Sequence, residues 1–232
     1  MIRIRKAIDR GHADHGWLDA WHTFSFAGYM DPEWMSYSAL RVLNQDRVQP
    51  AAGFPPHPHD NMEIVTVVLD GVLEHKDSMG NGSQIRPGEA QYMAAGTGVV
   101  HSEFNASEDE WLELLQMWVV PAERDTEPRY GQKQFIDPDG GSQFALAASE
   151  DGRDGSIQIG QDARLYIGKL EKDGELRHEP PARRNLWLHV ARGHVIVNGI
   201  DMGAGDGAAI QDETSLVFQG GSDADFVLWE LP

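Results

Sequence analysis

The sequence predicts an all-β protein. Three observations carry that expectation: no long apolar period of 3.6 residues, short runs rich in β-branched and aromatic residues, and tight-turn signals between those runs. The runs are Ser38–Leu43, Met62–Leu69, Trp111–Val120, Leu186–Ala191 and Phe226–Leu231. Between them stand Asp70-Gly71, Gly80-Asn81-Gly82, Pro87-Gly88, Asp139-Gly140-Gly141, Arg192-Gly193 and Asn198-Gly199. Many short strands divided in this way point to an antiparallel sandwich or barrel.

In chain order, the first motif is GWLDAWHTFSFAGY, residues 16–29. Trp17, Trp21, Phe24 and Phe26 read as packing residues, and His12, His15 and His22 are too irregularly spaced for a ligand set, so they read as structural. Next comes FPPHPHDNMEIVTVVLDG, residues 54–71. Pro58 cannot donate a ladder hydrogen bond and belongs at a strand start or an edge. In a strand, residues two apart share a face about 7 Å apart. His57, His59 and Glu63 are therefore expected on one face, at the open end of a strand whose other end is apolar core.

A weak repeat spans the chain. IVTVVLDGVLEHKDSMGNGSQIRPGE and LWLHVARGHVIVNGIDMGAGDG share the order strand, glycine turn, strand, glycine-rich turn, strand. Gly71 answers Gly193, and Pro87-Gly88-Glu89 answers Ala204-Gly205-Asp206. Two barrel units of roughly 100 residues each are a normal domain size. Asp, Pro and Gly crowd together over Phe135–Ser142, so the expected division is 1–135 and 136–232. In this second half His178, His189 and His194 show no paired spacing, and Asn185 falls where Glu63 would be.

Composition narrows the function. The 232 residues include no cysteine, which rules out disulfides, thiolate catalysis, Fe–S clusters and Cys-type zinc sites. A formal net charge of −18 repels phosphate backbones and anionic lipid, so neither nucleic acid nor membrane is an expected partner. No segment has the apolar length of a signal peptide or a membrane span, and a cytoplasmic location is expected.

The second ligand-type cluster is AAGTGVVHSEFN, residues 94–105, with His101 and Glu103 again two apart. Two strands that each present a same-face pair could bring four groups to one ion. Three imidazoles and a carboxylate suit a borderline divalent metal such as Fe(II), Mn, Co, Ni, Cu or Zn, rather than Ca or Mg. Four protein ligands leave positions open for substrate or oxygen. Glu63 and Glu103 compete for the fourth place. On a flat strand Glu63 lies about 13 Å from His59, so spacing favours Glu103, and the other carboxylate is left as orienter or base. His75, beside Asp77, reads as a satisfied polar contact, and the seven tryptophans as packing.

H57-x-H59-x3-E63 with Gly71, then P87-G88-E89, then H101-x3-N105, resemble the two metal motifs of the cupin superfamily. The usual proline of the second motif is replaced by Ala94. The HxE pair at 101–103, with 16–29, 54–71, HKDSMGN (75–81) and AAGTGVVHSE, is similar to the pirin family and its bacterial quercetin 2,3-dioxygenase-like members. The resemblance covers most of the chain and is strongest over 11–130. It implies a bicupin, two antiparallel double-stranded β-helix barrels packed face to face, with one metal in the amino-terminal barrel, usually iron. His57, His59, His101 and Glu103 match the family's ligands. The activity implied is cleavage of flavonols such as quercetin with O₂. Glu103 or Glu63 is the candidate base, and the protein is expected to be monomeric. The contrasting expectation is a non-catalytic iron-binding or ligand-sensing module that acts through a protein partner.

Overall fold

The computed structural model describes residues 1–232 as strands and two short 3₁₀ turns, without an α-helix. The chain opens with β1 (Ile2–Arg5), β2 (Gly11–Asp14), β3 (Leu18–His22), β4 (Leu40–Val48) and β5 (Gly53–His59). There follow β6 (Glu63–Asp70), β7 (Leu73–Asp77), β8 (Gly82–Ile85), β9 (Glu89–Ala94), β10 (Val99–Asn105), β11 (Leu112–Val119) and β12 (Arg129–Gln134). The second half carries β13 (Gln143–Ser149), β14 (Ile157–Gln158), β15 (Arg164–Leu170), β16 (Glu175–His178), β17 (Asn185–Arg192) and β18 (His194–Val197). It ends with β19 (Ile200–Gly203), β20 (Gly207–Ile210), β21 (Leu216–Gly220) and β22 (Ala224–Leu231). No helix is long and apolar enough to cross a membrane.

The strands form two compact units. The first joins a seven-stranded sheet, β12-β9-β6-β11-β4-β3-β2, to a four-stranded sheet, β5-β10-β7-β8. The second repeats the plan with β1-β20-β17-β22-β15-β13-β14 and β16-β21-β18-β19. Within each large sheet, β9-β6-β11-β4 answers β20-β17-β22-β15, so the sequence repeat is a repeat of topology. The glycine punctuation has a physical cause in both copies. Gly71 has φ +76, and a Cβ there would lie 2.8 Å from the carbonyl oxygen of Trp111. Gly193 has φ +72, and a Cβ there would overlap the carbonyl of Asp223. Only glycine meets both demands at no steric cost.

Burial explains the strands. In β6, Glu63 through Val68 are all buried, as befits a strand with neighbours on both edges and both faces covered. In β10 the pattern alternates instead: Val99, His101, Glu103 and Asn105 are buried, and Val100 and Phe104 are exposed. A single buried face of period two therefore holds both ligand-type residues.

The units do not divide at one point in the chain. Residues 1–10 belong to the second unit, where β1 pairs with β20 from Ile2↔Ile210 to Arg5↔Gly207. Lys6 reinforces that pairing through Asp206 at 2.8 Å. Residues 159–161 belong to the first unit. There the Gly160 amide donates to Glu63 at 2.7 Å, and the Gly160 carbonyl accepts from Ala122. The division at 135/136 expected from turn residues misses both segments, because strand pairing across distant sequence leaves no local turn signal.

Candidate metal centre

β5 lies at the edge of its sheet and pairs only with β10. Three prolines among its seven residues explain the position, since an edge strand leaves one row of its backbone unpaired. The antiparallel register puts His57 directly across from His101 and His59 across from Val99. His57, His59 and His101 consequently meet. Their ring centroids lie 4.4 Å (57–101), 4.8 Å (57–59) and 4.9 Å (59–101) apart. One nitrogen from each of the three falls within 4.8 Å of the others.

Each ring has a distinct environment. The Pro55 carbonyl, which can only accept, lies 2.8 Å from His57 Nδ1. The proton of His57 is thereby fixed on Nδ1 and the lone pair on Nε2. His101 is 2% exposed, and neither of its ring nitrogens has a hydrogen-bond partner. Buried polar atoms are nearly always paired, so an imidazole left open at both nitrogens marks a place for a further group. Burial, then the neighbouring His57, holds His59 down to about 4. Burial followed by His57 and His59 holds His101 down to about 3. Both rings are neutral near pH 7, the form that ligates a cation. The donor set fits a divalent transition metal.

Glu103 adjoins this cluster through His101. A carboxylate oxygen of Glu103 and ring nitrogens of His101 and His75 lie within 4.8 Å of one another. Glu103 is fully buried, and burial pushes its carboxyl up to about 7 against the pull of Gln116. Gln116 Nε2 donates to both carboxylate oxygens, at 3.1 and 2.9 Å. Gln116 is itself held by Trp118 Nε1 at 3.2 Å, and the Trp118 ring packs edge-on to His59 at 4.9 Å. Gln116 and Trp118 belong to the site and escaped the motif reading. The available signal was a lone amide inside the apolar run WLELLQMWVV.

Glu63 does not join His57 and His59. β5 ends at His59, Asn61 turns the chain at φ +48, and β6 begins at Glu63 in the other sheet. Asp and Asn tolerate that left-handed turn, and Asn61 secures it with paired bonds to Asp125 at 2.7 and 3.1 Å. The expectation of one face carrying all three residues is corrected by this break. Glu63 instead accepts from Tyr92 Oη at 2.5 Å and from the Gly160 amide at 2.7 Å. Asn105 is likewise a brace, donating to the carbonyls of Val48, Gln49 and Glu110.

The other histidines lie elsewhere. His22 bonds Asn44 at 3.0 Å, and His12 bonds Asp19 at 2.8 Å while stacking on Trp21. In the second unit His178 bonds Glu230 and His194 bonds Asp201. Register identifies what replaces the cluster there. His101 pairs with His57, and Leu216 pairs with His178; Glu103 pairs with His75, and Phe218 with Val197. Only His178 survives at a ligand position, and there it bonds the buried Glu230 rather than meeting other imidazoles.

A cavity of about 610 Å³ lies in the first unit, lined by none of the four ligand-type residues but by aromatic residues that adjoin them. Trp17, Leu18, His22, Phe26, Tyr29 and Phe54 line it. Phe54 contacts His57 (6.3 Å between rings), and Phe26 packs edge-on to Trp118 (5.3 Å).

Residues 2–119 match the family described as Pirin, and residues 146–231 match the "Quercetinase C-terminal cupin domain". The chain belongs to the pirin family. This pirin is 49% identical to the "Quercetin 2,3-dioxygenase" of Escherichia coli K12, over 100% of this chain and 99% of that protein. It is 42% identical to a "Pirin-like protein" of Caulobacter vibrioides, with 97% of each covered. Among solved structures it is similar to the bacterial pirin YhhW from Escherichia coli in complex with nickel(II). The TM-score is 0.93 at 47% identity, covering 100% of this pirin and 99% of that chain. The two cupin domains expected of a bicupin are thus present.

Proposed function

We propose that this pirin is a metal-dependent dioxygenase that cleaves flavonols such as quercetin with O₂, at a single site in the first barrel. The observation that carries the proposal is the convergence of His57, His59 and His101, with both nitrogens of buried His101 unpartnered. These three imidazoles and Glu103 would hold one divalent transition metal, Fe(II) being our assignment; nickel occupies a close structural relative. When bound, the cation supplies Lewis acidity that lowers the pKa of a flavonol hydroxyl.

The chain's own residues account for the rest. The Pro55 carbonyl presents His57 through Nε2. Glu103 takes the 3-hydroxyl proton on a carboxylate oxygen. The Gln116 amide, which donates to both of its oxygens, fixes the orientation of that carboxylate for proton transfer. Glu63, already committed to Tyr92 and Gly160, is a structural anchor and not the base. The aromatic cavity suits a flat, largely apolar substrate and falls in the range of about 300–1,000 Å³ usual for ligand sites. Overall, one O₂ is consumed, the central ring opens and carbon monoxide leaves. A cytoplasmic monomer is the form we assign, on a cysteine-free acidic chain that carries two barrels of its own.

The test is incubation of iron-loaded protein with quercetin in air, with flavonol absorbance and carbon monoxide followed together. Loss of colour with release of CO is expected only with metal present. His101→Ala is expected to abolish both metal retention and turnover. Quercetin binding without turnover would overturn the enzymatic proposal and favour a ligand-sensing module that acts on a protein partner. Full turnover by metal-depleted His101→Ala would overturn the site.

A further inference from the structure

The motif HKDSMGN, residues 75–81, takes no part in the reaction as derived above, yet its polar side chains are buried beside it. His75 is wholly buried, as is the side chain of Asp77. Register places His75 across from Glu103 and Asp77 across from His101, so all four side chains share the inner face of the β7–β10 pair. His75 Nε2 lies 3.0 Å from Asp77 Oδ2. Asp77 is saturated from behind: its Oδ1 accepts from the amides of Met79 and Asn81 at 2.9 and 3.0 Å, and the Asn81 side chain reaches both oxygens. A carboxylate so supplied with donors remains an acceptor, which puts the His75 proton on Nε2 and the lone pair on Nδ1. Nδ1 is buried and has no partner. Tyr130 stacks on the ring at 5.1 Å and an interplanar angle of 28°, which fixes its plane.

A hydrogen-bond inventory then becomes decisive. A ligating imidazole uses one nitrogen for the metal and must find an acceptor for the N–H on the other. His57 has the Pro55 carbonyl for this purpose. His101 has nothing. Of the acceptors on the face opposite it, Glu103 already takes Gln116 on both oxygens, and Asp77 takes its own loop and His75. His75 Nδ1 is the acceptor among them with no partner at all, on a ring whose centroid is 5.4 Å from that of His101.

We propose that His75, locked by Asp77 and Asn81, is the positioning residue for His101: its Nδ1 accepts the His101 ring N–H and so aims the opposite nitrogen at the cation. The inference rests on the assignment of His101 as a metal ligand. It gives the H-x-D-x3-N spacing of residues 75–81 a purpose that neither residue has alone. Asn81 and the turn amides hold Asp77, Asp77 sets the tautomer of His75, and His75 orients the ligand.

The experiment measures Ni(II) affinity by competition with a chromophoric chelator for the full-length protein and two variants. His75→Phe fills the same space without an acceptor. Asp77→Asn keeps His75 but reverses its tautomer: the loop amides retain the Asn oxygen, its NH₂ faces His75 Nε2, and the proton moves to Nδ1, donor against donor. Both variants are expected to bind Ni(II) about 10–100-fold more weakly. X-ray absorption at saturating metal should count the same number of imidazole ligands in Asp77→Asn and the unsubstituted protein. Far-UV circular dichroism of the metal-free forms checks the fold, and Asp77→Asn decides alone if His75→Phe does not fold. Affinity within threefold of the unsubstituted protein in Asp77→Asn would overturn the inference. So would one fewer imidazole in His75→Phe, which would make His75 a direct ligand. An unsubstituted protein that takes up no nickel would overturn the metal assignment itself, a result distinct from either.

Discussion

Two buried charged-type residues lead to measurable consequences away from the metal ligands. Glu63 accepts from Tyr92 and Gly160, and Arg129 adds a bond to the Tyr92 oxygen at 3.2 Å. Burial and then the Glu63 carboxylate hold the Tyr92 phenol well above its ordinary range, so it stays a donor. Glu63→Ala strands that phenol and the Gly160 amide. Each orphaned buried donor costs about 1–3 kcal/mol, so a loss of roughly 3 kcal/mol is expected from urea unfolding, with nickel still retained. His189 is the second case. Burial, followed by the charge of Arg10, holds it well below its ordinary value. The folded protein therefore keeps His189 neutral while the unfolded chain protonates it below about pH 6.5. The stabilisation is present above that pH and falls by about 1.4 kcal/mol per unit on the acid side. Urea midpoints at pH 6.5 and 5.5, in chelator, should show that extra acid loss in the unsubstituted protein and not in His189→Leu.

At the scale of elements, legibility followed the range of the interaction. The strands centred on Val65, Leu115, Leu188 and Leu228 are visible in the sequence because central strands are mostly apolar and rich in β-branched and aromatic residues. The turns at Gly71, Gly193 and Asn198-Gly199 are visible because positive φ restricts the residue type. His101 and Glu103 are visible as a pair because β10 alternates between a buried and an exposed face. The continuity assumed from His59 to Glu63 fails at Asn61, where one residue's tolerance of the left-handed region outweighs the strand pattern on either side. His75 was legible as a polar contact to Asp77, and that bond exists. Its open Nδ1 was not legible, because what an imidazole lacks depends on three strands meeting. Gln116 was hidden for the same reason: β11 pairs with β4 and β6, and its reach to Glu103 crosses from one sheet to the other.

At the scale of the whole molecule, the amino-terminal ten residues belong to the second unit. Ile2 and Ile4 pack against the core of the second barrel, and the terminal ammonium bonds Gln211 and Glu213. Full burial of an isoleucine side chain is worth about 1.5–3 kcal/mol, and these two are partly buried. Removal of residues 1–5 should therefore cost roughly 2–4 kcal/mol, or about 5–10 °C in the thermal midpoint of a chain this size. A calorimetric scan showing no shift would contradict that account. The same pairing sets a timetable for biosynthesis. β1 leaves the ribosome first, yet its partner β20 is made roughly 200 residues later. At about 5–20 residues per second, a bare strand edge waits ~10–40 s for its mate, an interval in which the nascent chain is open to capture by another copy or by a chaperone.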